Sequence, residues 1–257
     1  MLAAALAVLL TGSAAAADLS VDQVRAALAQ ATPERPADFA GKNLSELDLS
    51  GIDFKHADLA HANLFAAKLA GADLAGADLR FARLDLAWIM RADFTGADLS
   101  HASLFGPVIA TGMAQPPPDQ TPRFAGANFS GARVIARLAG CDLQRARFVG
   151  AELGVDLKNQ PMGQMRNDFT SANLTGANFA GADLNRAELA FAKLRGADLS
   201  GTNLFRADLA GADLSGADLA GANLTEADLD GTILTGAKHL DAAKGFDKAI
   251  NADKAIR

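Results

Sequence analysis

Apolar positions along this chain recur every five residues. In DLAGADLSGADLAGANL, residues 208–224, Leu209, Leu214, Leu219 and Leu224 share that spacing. An Ala stands two places before each Leu, and an Asp or Asn one place before. The phrase Ala-(Asp/Asn)-Leu-x-x, with Phe, Val or Ile at some centres, runs from Phe39 to Ile109. It resumes at Phe124, Phe129 and Val134, and steps one residue out of register at Leu143, Phe148 and Leu153. A third block runs from Phe169 to Leu234. A helix cannot use such a pattern, because centres five apart scatter around its axis and the recurrent Gly weakens it. Extended chain can use it. Ala and Leu then point one way and the Asp or Asn the other, while the last two residues turn a corner where Gly permits positive φ. The Asp or Asn can bond to nearby backbone and favour the bend.

Each phrase therefore predicts one short side of a coil wound around Leu and Phe, with stacked coils pairing about 4.8 Å apart. Phrases such as Ala72-Asp73-Leu74-Ala75-Gly76 and Ala177-Asn178-Phe179-Ala180-Gly181 resemble the pentapeptide repeat family over about residues 38–240. That resemblance implies an all-β solenoid, a right-handed quadrilateral β-helix with 20 residues per coil. About nine coils would make a rod roughly 43 Å long.

The ends and interruptions set the organisation. Ser20-Val21-Asp22-Gln23 reads as a capping-box helix start, and Val21, Val24, Leu28 and Ala31 follow at helical spacing until Thr32-Pro33. An N-terminal capping helix is expected within 18–36. Repeat blocks follow at 37–109, 123–153 and 168–234, separated by two loop interruptions: a Pro-rich loop at 110–122 and a second loop at 154–167. A C-terminal cap is expected over 235–257, where Leu240, Ala243 and Phe246 can cover the last coil. Pro116-Pro117-Pro118 cannot sit in a paired strand. The short apolar run Leu2–Leu10, followed by Ala15-Ala16-Ala17, reads as a signal peptide over 1–17 with cleavage before Asp18. No Lys or Arg precedes it. The expected address is periplasmic or secreted, without stable membrane insertion.

Composition removes several functions. A net charge of −6 leaves no basic footprint for direct nucleic-acid binding. One cysteine, Cys141, excludes an intrachain disulfide, and its inward position reads as a buried structural thiol. Phosphate loop, nucleophile elbow and Cys-x-x-Cys are all missing, so no enzyme, cofactor or metal is expected. His61 and His101 should share a column with Phe81 between them, too far apart for one metal ion. The segment 110–168 carries seven basic and five acidic residues, against acidic blocks on either side.

Outward aromatic residues carry the candidate site: His61, Phe65, Phe81, Arg83, Trp88, Met90, His101 and Phe105. Contiguous exposed aromatics suggest a partner-binding surface, the alternative being a ladder of Phe rings that only stabilises the stack. The Pro-rich loop is expected to fold back over Trp88. The expected function is a non-catalytic binding or scaffold module outside the cytoplasm, with a protein partner and homodimerisation left open. The family resemblance implies an alternative, a DNA-mimicking modulator of a type II topoisomerase. Arg186 and Arg206 would interrupt the acidic ladder Glu188, Asp208, Asp228 that such mimicry needs.

Overall fold

The computed structural model describes residues 16–110, 117–155 and 166–257 of the 257. The signal-peptide expectation falls mainly on residues 1–15, outside the described residues, as do 111–116 and 156–165 within the two loops.

One phrase explains the coil. Asp73 N–H donates to the carbonyl of Ile52 in the coil below, at 3.0 Å. Leu74 and Gly76 donate upward to Asp93 and Thr95, at 2.7 and 2.9 Å. Ala77 N–H returns to Leu74 O at 3.0 Å and closes the corner. The remaining amide, Ala75 N–H, donates to Asp73 Oδ1 at 3.1 Å. All five amides are satisfied, and the last only because the phrase carries Asp or Asn before its centre. The regular turn also demands positive φ two residues after its centre, as at Gly76 (φ 65°). Residues with a side chain occupy the same position elsewhere, among them His61, Phe81 and His101.

Inside, the centres and the Ala two residues before them form one continuous core from Phe39 to Leu234. Outside, the residue before each centre pairs with its equivalent one coil on. The pairing is mostly a single bridge per side, such as Asp53↔Asp73 and Asp73↔Asp93. Among the described residues only β1 (Ser103–Phe105) and β2 (Arg133–Ile135) are long enough to be strands, and they pair in parallel. The expected backbone pairing thus exists, but with two of five residues turning each corner there is room for little more than one bridge.

Bridge offsets of 20 residues, four phrases, make the cross-section four-sided. Four faces follow, each named here by one outward residue: Asp78, Arg83, Trp88 and Asp93. Along the Asp93 face the offset becomes 30 at Asp93↔Arg123, 19 at Arg123↔Asp142 and 31 at Asp142↔Asn173, then returns to 20 at Asn173↔Lys193. The columns continue through all three irregular steps. Each step carries a parallel Phe–Phe stack in the core: Phe94 on Phe124 (5.0 Å between ring centroids), Phe129 on Phe148 (4.8 Å) and Phe148 on Phe179 (4.8 Å). Flat rings at the coil spacing hold register where chain length alone does not.

The one-residue step falls at Val134–Leu138, where only four residues separate two centres. Asn167 fills the gap from the coil above. It is fully buried in a position mostly held by Ala. Its Oδ1 accepts from Ala136 N–H at 2.9 Å, and its Nδ2 donates to the carbonyls of Val134 (2.6 Å) and Leu153 (2.7 Å).

At the N-terminal end, α1 (Val21–Ala29) starts at a capping box made by Ser20 and Gln23. It ends two residues earlier than the helical spacing of Ala31 suggests. Val24 is buried against the first coils.

The C-terminal coil changes period. Lys238, Lys244, Ile250 and Ile256 bridge to Asp218, Asn223, Asp228 and Ile233, so the sides are six residues long and the offset grows from 20 to 23. The extra residue forms a 3-10 turn at Leu240–Ala242, Phe246–Lys248 and Ala252–Lys254. Ala237, Leu240, Ala243, Phe246, Ala249, Ala252 and Ala255 pack on the core at every third residue. Amides such as Ala242, Ala243, Lys248 and Lys254 bond within these turns, leaving fewer donors for another coil.

Candidate functional site

The outward aromatics occupy two separate places. At the corner between the Asp78 and Arg83 faces, the positive-φ position carries His61, Phe81 and His101 in successive coils. Their rings stack as a column, 4.8 Å and 4.9 Å between centroids, nearly parallel. The column ends on Gly131, where a Cβ would stand 2.6 Å from the His101 ring. Phe81 is 50% exposed. A ring at this corner position reaches up to the same corner one coil on, where it meets either another flat ring or a Gly. His56 over Gly76 and Phe191 over Gly211 follow the same rule.

The second place surrounds the Trp88 face. Leu86 is 43% and Trp88 41% exposed, and Met90, Phe65, Phe105 and Val108 are half-buried. The loop expected to cover Trp88 falls in large part on residues 111–116, which lie outside the described residues. Phe65 and Phe105 are also less exposed than the phrase suggests. The Arg83 guanidinium lies 4.4 Å over the Phe65 ring and is held by Asp85 at 2.9 Å. Asp85 in turn accepts from Ser103 Oγ at 2.6 Å and from Phe105 N–H at 3.0 Å.

Phe65, Phe81 and Phe105 therefore do not form one ladder. Phe81 stacks on two histidines, while Asp85 separates Phe65 from Phe105 in their own column. Leu86 belongs with Trp88: a Leu two residues after a centre has no core to enter, a signal legible in the phrase but not among its aromatic residues. Phe191, 65% exposed, stands apart at another corner.

Charge divides the Trp88 face lengthwise. Its lower column reads Asp48, Lys68, Trp88, Val108; its upper column reads Asp168, Glu188, Asp208, Asp228, Ile250. Arg137 lies between and makes no ion pair with a described residue, and neither does Arg91. Arg186 and Arg206 do not break the acidic column, contrary to expectation. They sit at the neighbouring corner, where Arg206 pairs with Glu226 at 2.7 Å. Glu188 is paired, by Arg166 at 2.7 Å. Both loops open beside this face: one leaves it after Ala110, and the other returns to it before Asp168.

No chemistry-bearing cluster accompanies these surfaces. Among the described residues no group of His, Cys, Asp or Glu could hold a metal ion. Burial pushes the Cys141 thiol up to about 12, which leaves it unreactive at neutral pH. The Arg80 guanidinium, hydrogen-bonded at 2.6 Å, holds the Asp78 carboxyl below its ordinary range. A cavity of about 540 Å³ lies between α1 and the first coils, lined by Arg25, Leu28, Pro33, Ile52, Lys55 and His56 among others. Lys55 is already committed to Asp73 at 2.7 Å. No helix among the described residues is long and apolar enough to cross a membrane.

No curated protein matches the chain. Among solved structures, it is similar to HetL, a pentapeptide repeat protein involved in heterocyst differentiation regulation from the cyanobacterium Nostoc sp. strain PCC 7120. The identity is 29% over 93% of this chain and 94% of that one, with a TM-score of 0.47. It is similar to QnrB1, a plasmid-mediated fluoroquinolone resistance protein, at 20% identity over 84% of this chain and 92% of that one, with a TM-score of 0.42. A pentapeptide repeat protein from the Arabidopsis thaliana thylakoid lumen shares 32% identity over 42% of this chain and 65% of that one, with a TM-score of 0.22. The family model for pentapeptide repeats matches in 8 copies, over residues 37–69, 57–96, 72–106, 168–201 and 202–238. With over half of its residues matched, this chain belongs to the pentapeptide repeat proteins, which fold as right-handed quadrilateral β-helices.

Proposed function

We propose that this protein is a non-catalytic binding module that captures a protein partner through the lower part of its Trp88 face, with the His61–Phe81–His101 column and Arg83 at the rim. One observation carries the reading: Leu86 and Trp88 stand more than 40% exposed on a rod whose phrase places Asp or small residues there. Exposed large apolar side chains next to one another mark interaction surfaces. Of the order of nine or ten coils form the rod, α1 caps its lower end and the six-residue coil its upper end. The apolar start of the chain supports export to the periplasm or beyond, where Asp18 would be the mature N-terminus.

The test uses the rod itself as bait. Leu86→Ser with Trp88→Asp restores residues the phrase carries elsewhere, so the thermal unfolding midpoint should hold. Capture of partners from the native source should fall to background. Undiminished capture would refute the surface assignment. The mature N-terminal residue tests export: an intact Met1 on cytoplasmic protein would overturn it.

The unbroken column Asp168, Glu188, Asp208, Asp228 favours a second reading, modulation of a type II topoisomerase by a DNA-like acidic surface. A supercoiling assay decides it, since inhibition or protection should disappear when Asp208 and Asp228 are both changed to Lys.

A further inference from the structure

Around Trp88 one column repeats an aromatic ring on either side, and the face column carries opposite charges at its two ends. Taking the coil of Trp88 as centre, Phe65 lies one coil below and Phe105 one coil above, on either side of Asp85. On the face itself, Lys68 lies below and Val108 above Trp88. Two coils away the charges are opposite: Asp48 below, with its carboxylate 60% exposed, and Arg137 above, exposed and without an ion pair to any described residue. Leu86, Trp88 and Met90 all lie in the central coil.

A surface with this arrangement complements itself. A two-fold axis lying in the plane of contact, across the rod, reverses the coil order and keeps left and right. Passing through Trp88, it brings Trp88, Leu86 and Met90 against the same residues of a second copy. It also sets Phe65 against Phe105 of the second copy, the aliphatic stem of Lys68 against its Val108 with the ammonium reaching water, and Asp48 against its Arg137, each pairing occurring twice. We propose that the occupant of this face is a second copy of this chain, docked antiparallel and centred on Trp88. The inference rests on the reading of this face as an interaction surface and names the partner.

The alternative antiparallel register, centred between Arg137 and Asp168, is disfavoured. It would overlap the whole rods but seat Trp88 on Asp208 and Val108 on Glu188, desolvating carboxylates against apolar groups. Centring on Trp88 leaves the acidic column beyond the end of the partner, in water. The overlap is short, five coils or roughly 24 Å. That is a small interface, and association should be micromolar or weaker.

Sedimentation of the mature chain, over concentrations from about 5 to about 500 µM, tests this range. The expected result is a monomer–dimer equilibrium. Emission from Trp88, the sole Trp of the chain, should shift to the blue as the dimer fills. Trp88→Asp introduces the residue this position carries at Asp48, Asp168, Asp208 and Asp228, so the fold persists, and two carboxylates then meet at the axis. The dimer should vanish over the whole range. Asp48→Arg and Arg137→Asp should each weaken association about tenfold, and the double exchange should recover it, because the pairing is only reversed. A chain that stays monomeric at every concentration overturns the inference while leaving partner capture to its own assay. A dimer that survives Trp88→Asp, or a double exchange that behaves like the sum of its single changes, overturns it too.

Discussion

Blocks 37–109 and 168–234 have the same backbone and opposite surfaces. In both, the centres are buried, the amide after each centre is usually held by an Asp or Asn side chain, and the offset is 20. Yet on one face the lower block shows Lys68, Trp88 and Val108, and the upper block Asp168, Glu188, Asp208 and Asp228. The coil specifies two inward positions of five and leaves the outward ones nearly free. The carboxylate before the centre is preferred there for one turn hydrogen bond, worth about 1 kcal/mol. Trp88 forgoes that bond, as do Lys68, Arg83 and Lys193. Surface function is therefore written where the scaffold is least demanding.

The largest expected effect breaks the inward side of this comparison. Leu204→Asp buries a charge without a partner and should destabilise the rod by more than about 4 kcal/mol. Asp213→Asn keeps the oxygen that Ser215 N–H uses at 3.0 Å and loses only the exposed pairing with Arg195, so it should change stability by less than about 1 kcal/mol. Equal shifts in urea midpoint would contradict the inward and outward assignment. Next comes the irregular middle. Asn167→Ala strands the Ala136 N–H and two carbonyls in a buried corner, at about 3 kcal/mol. Asn167→Ala should also release amide protection around Val134–Leu138 before the blocks on either side, measurable by hydrogen exchange.

Two corner glycines give a finer contrast. Gly71 and Gly76 both have positive φ, but a Cβ at Gly71 meets open space and one at Gly76 meets the His56 ring at 2.6 Å. Gly71→Ala should cost about 1 kcal/mol for backbone strain. Gly76→Ala should cost more, and His56→Ala in the same chain should remove the excess. The smallest effect is electrostatic. Hydrogen bonds from Arg80 to Asp78 and from His239 to Asp218 depress these carboxyls. For Asp93 and Asp213, burial opposes the shift and is outweighed by the bonds from Arg123 with Thr95 and from Ser215 with Arg195. Their stabilisation is present above the unfolded carboxylate value, near 4, and is lost as pH falls through the lower folded values. Thermal unfolding should thus be flat from neutrality to about pH 5 and decline below pH 4.

Much of the architecture was legible because it repeats. A five-residue period with apolar centres admits few folds, and the column His61–Phe81–His101 follows from counting 20 residues at a time. Counting failed where the chain does not repeat. The six-residue terminal coil shows no Asp-Leu phrase, and its Ala at every third residue resembles no regular element. The role of Asn167 depends on a corner one residue short in another coil. The degree to which Arg83 and Asp85 cover Phe65 and Phe105 depends on side-chain directions that spacing does not state.

By itself the sequence determined which residues face inward and that the cross-section closes after a few identical sides. Those properties are local, repeated in each phrase, and enforced by the hydrogen-bonding needs of five amides. Tertiary structure alone decided which outward residues become neighbours. Offsets of 30, 19 and 31 residues, held by stacked Phe rings, bring residues far apart in the chain into one column. A shift of one residue in the first of these steps would place Arg137 at a corner and dissolve the pattern around Trp88, because alignment between coils is set by packing across the rod rather than along the chain.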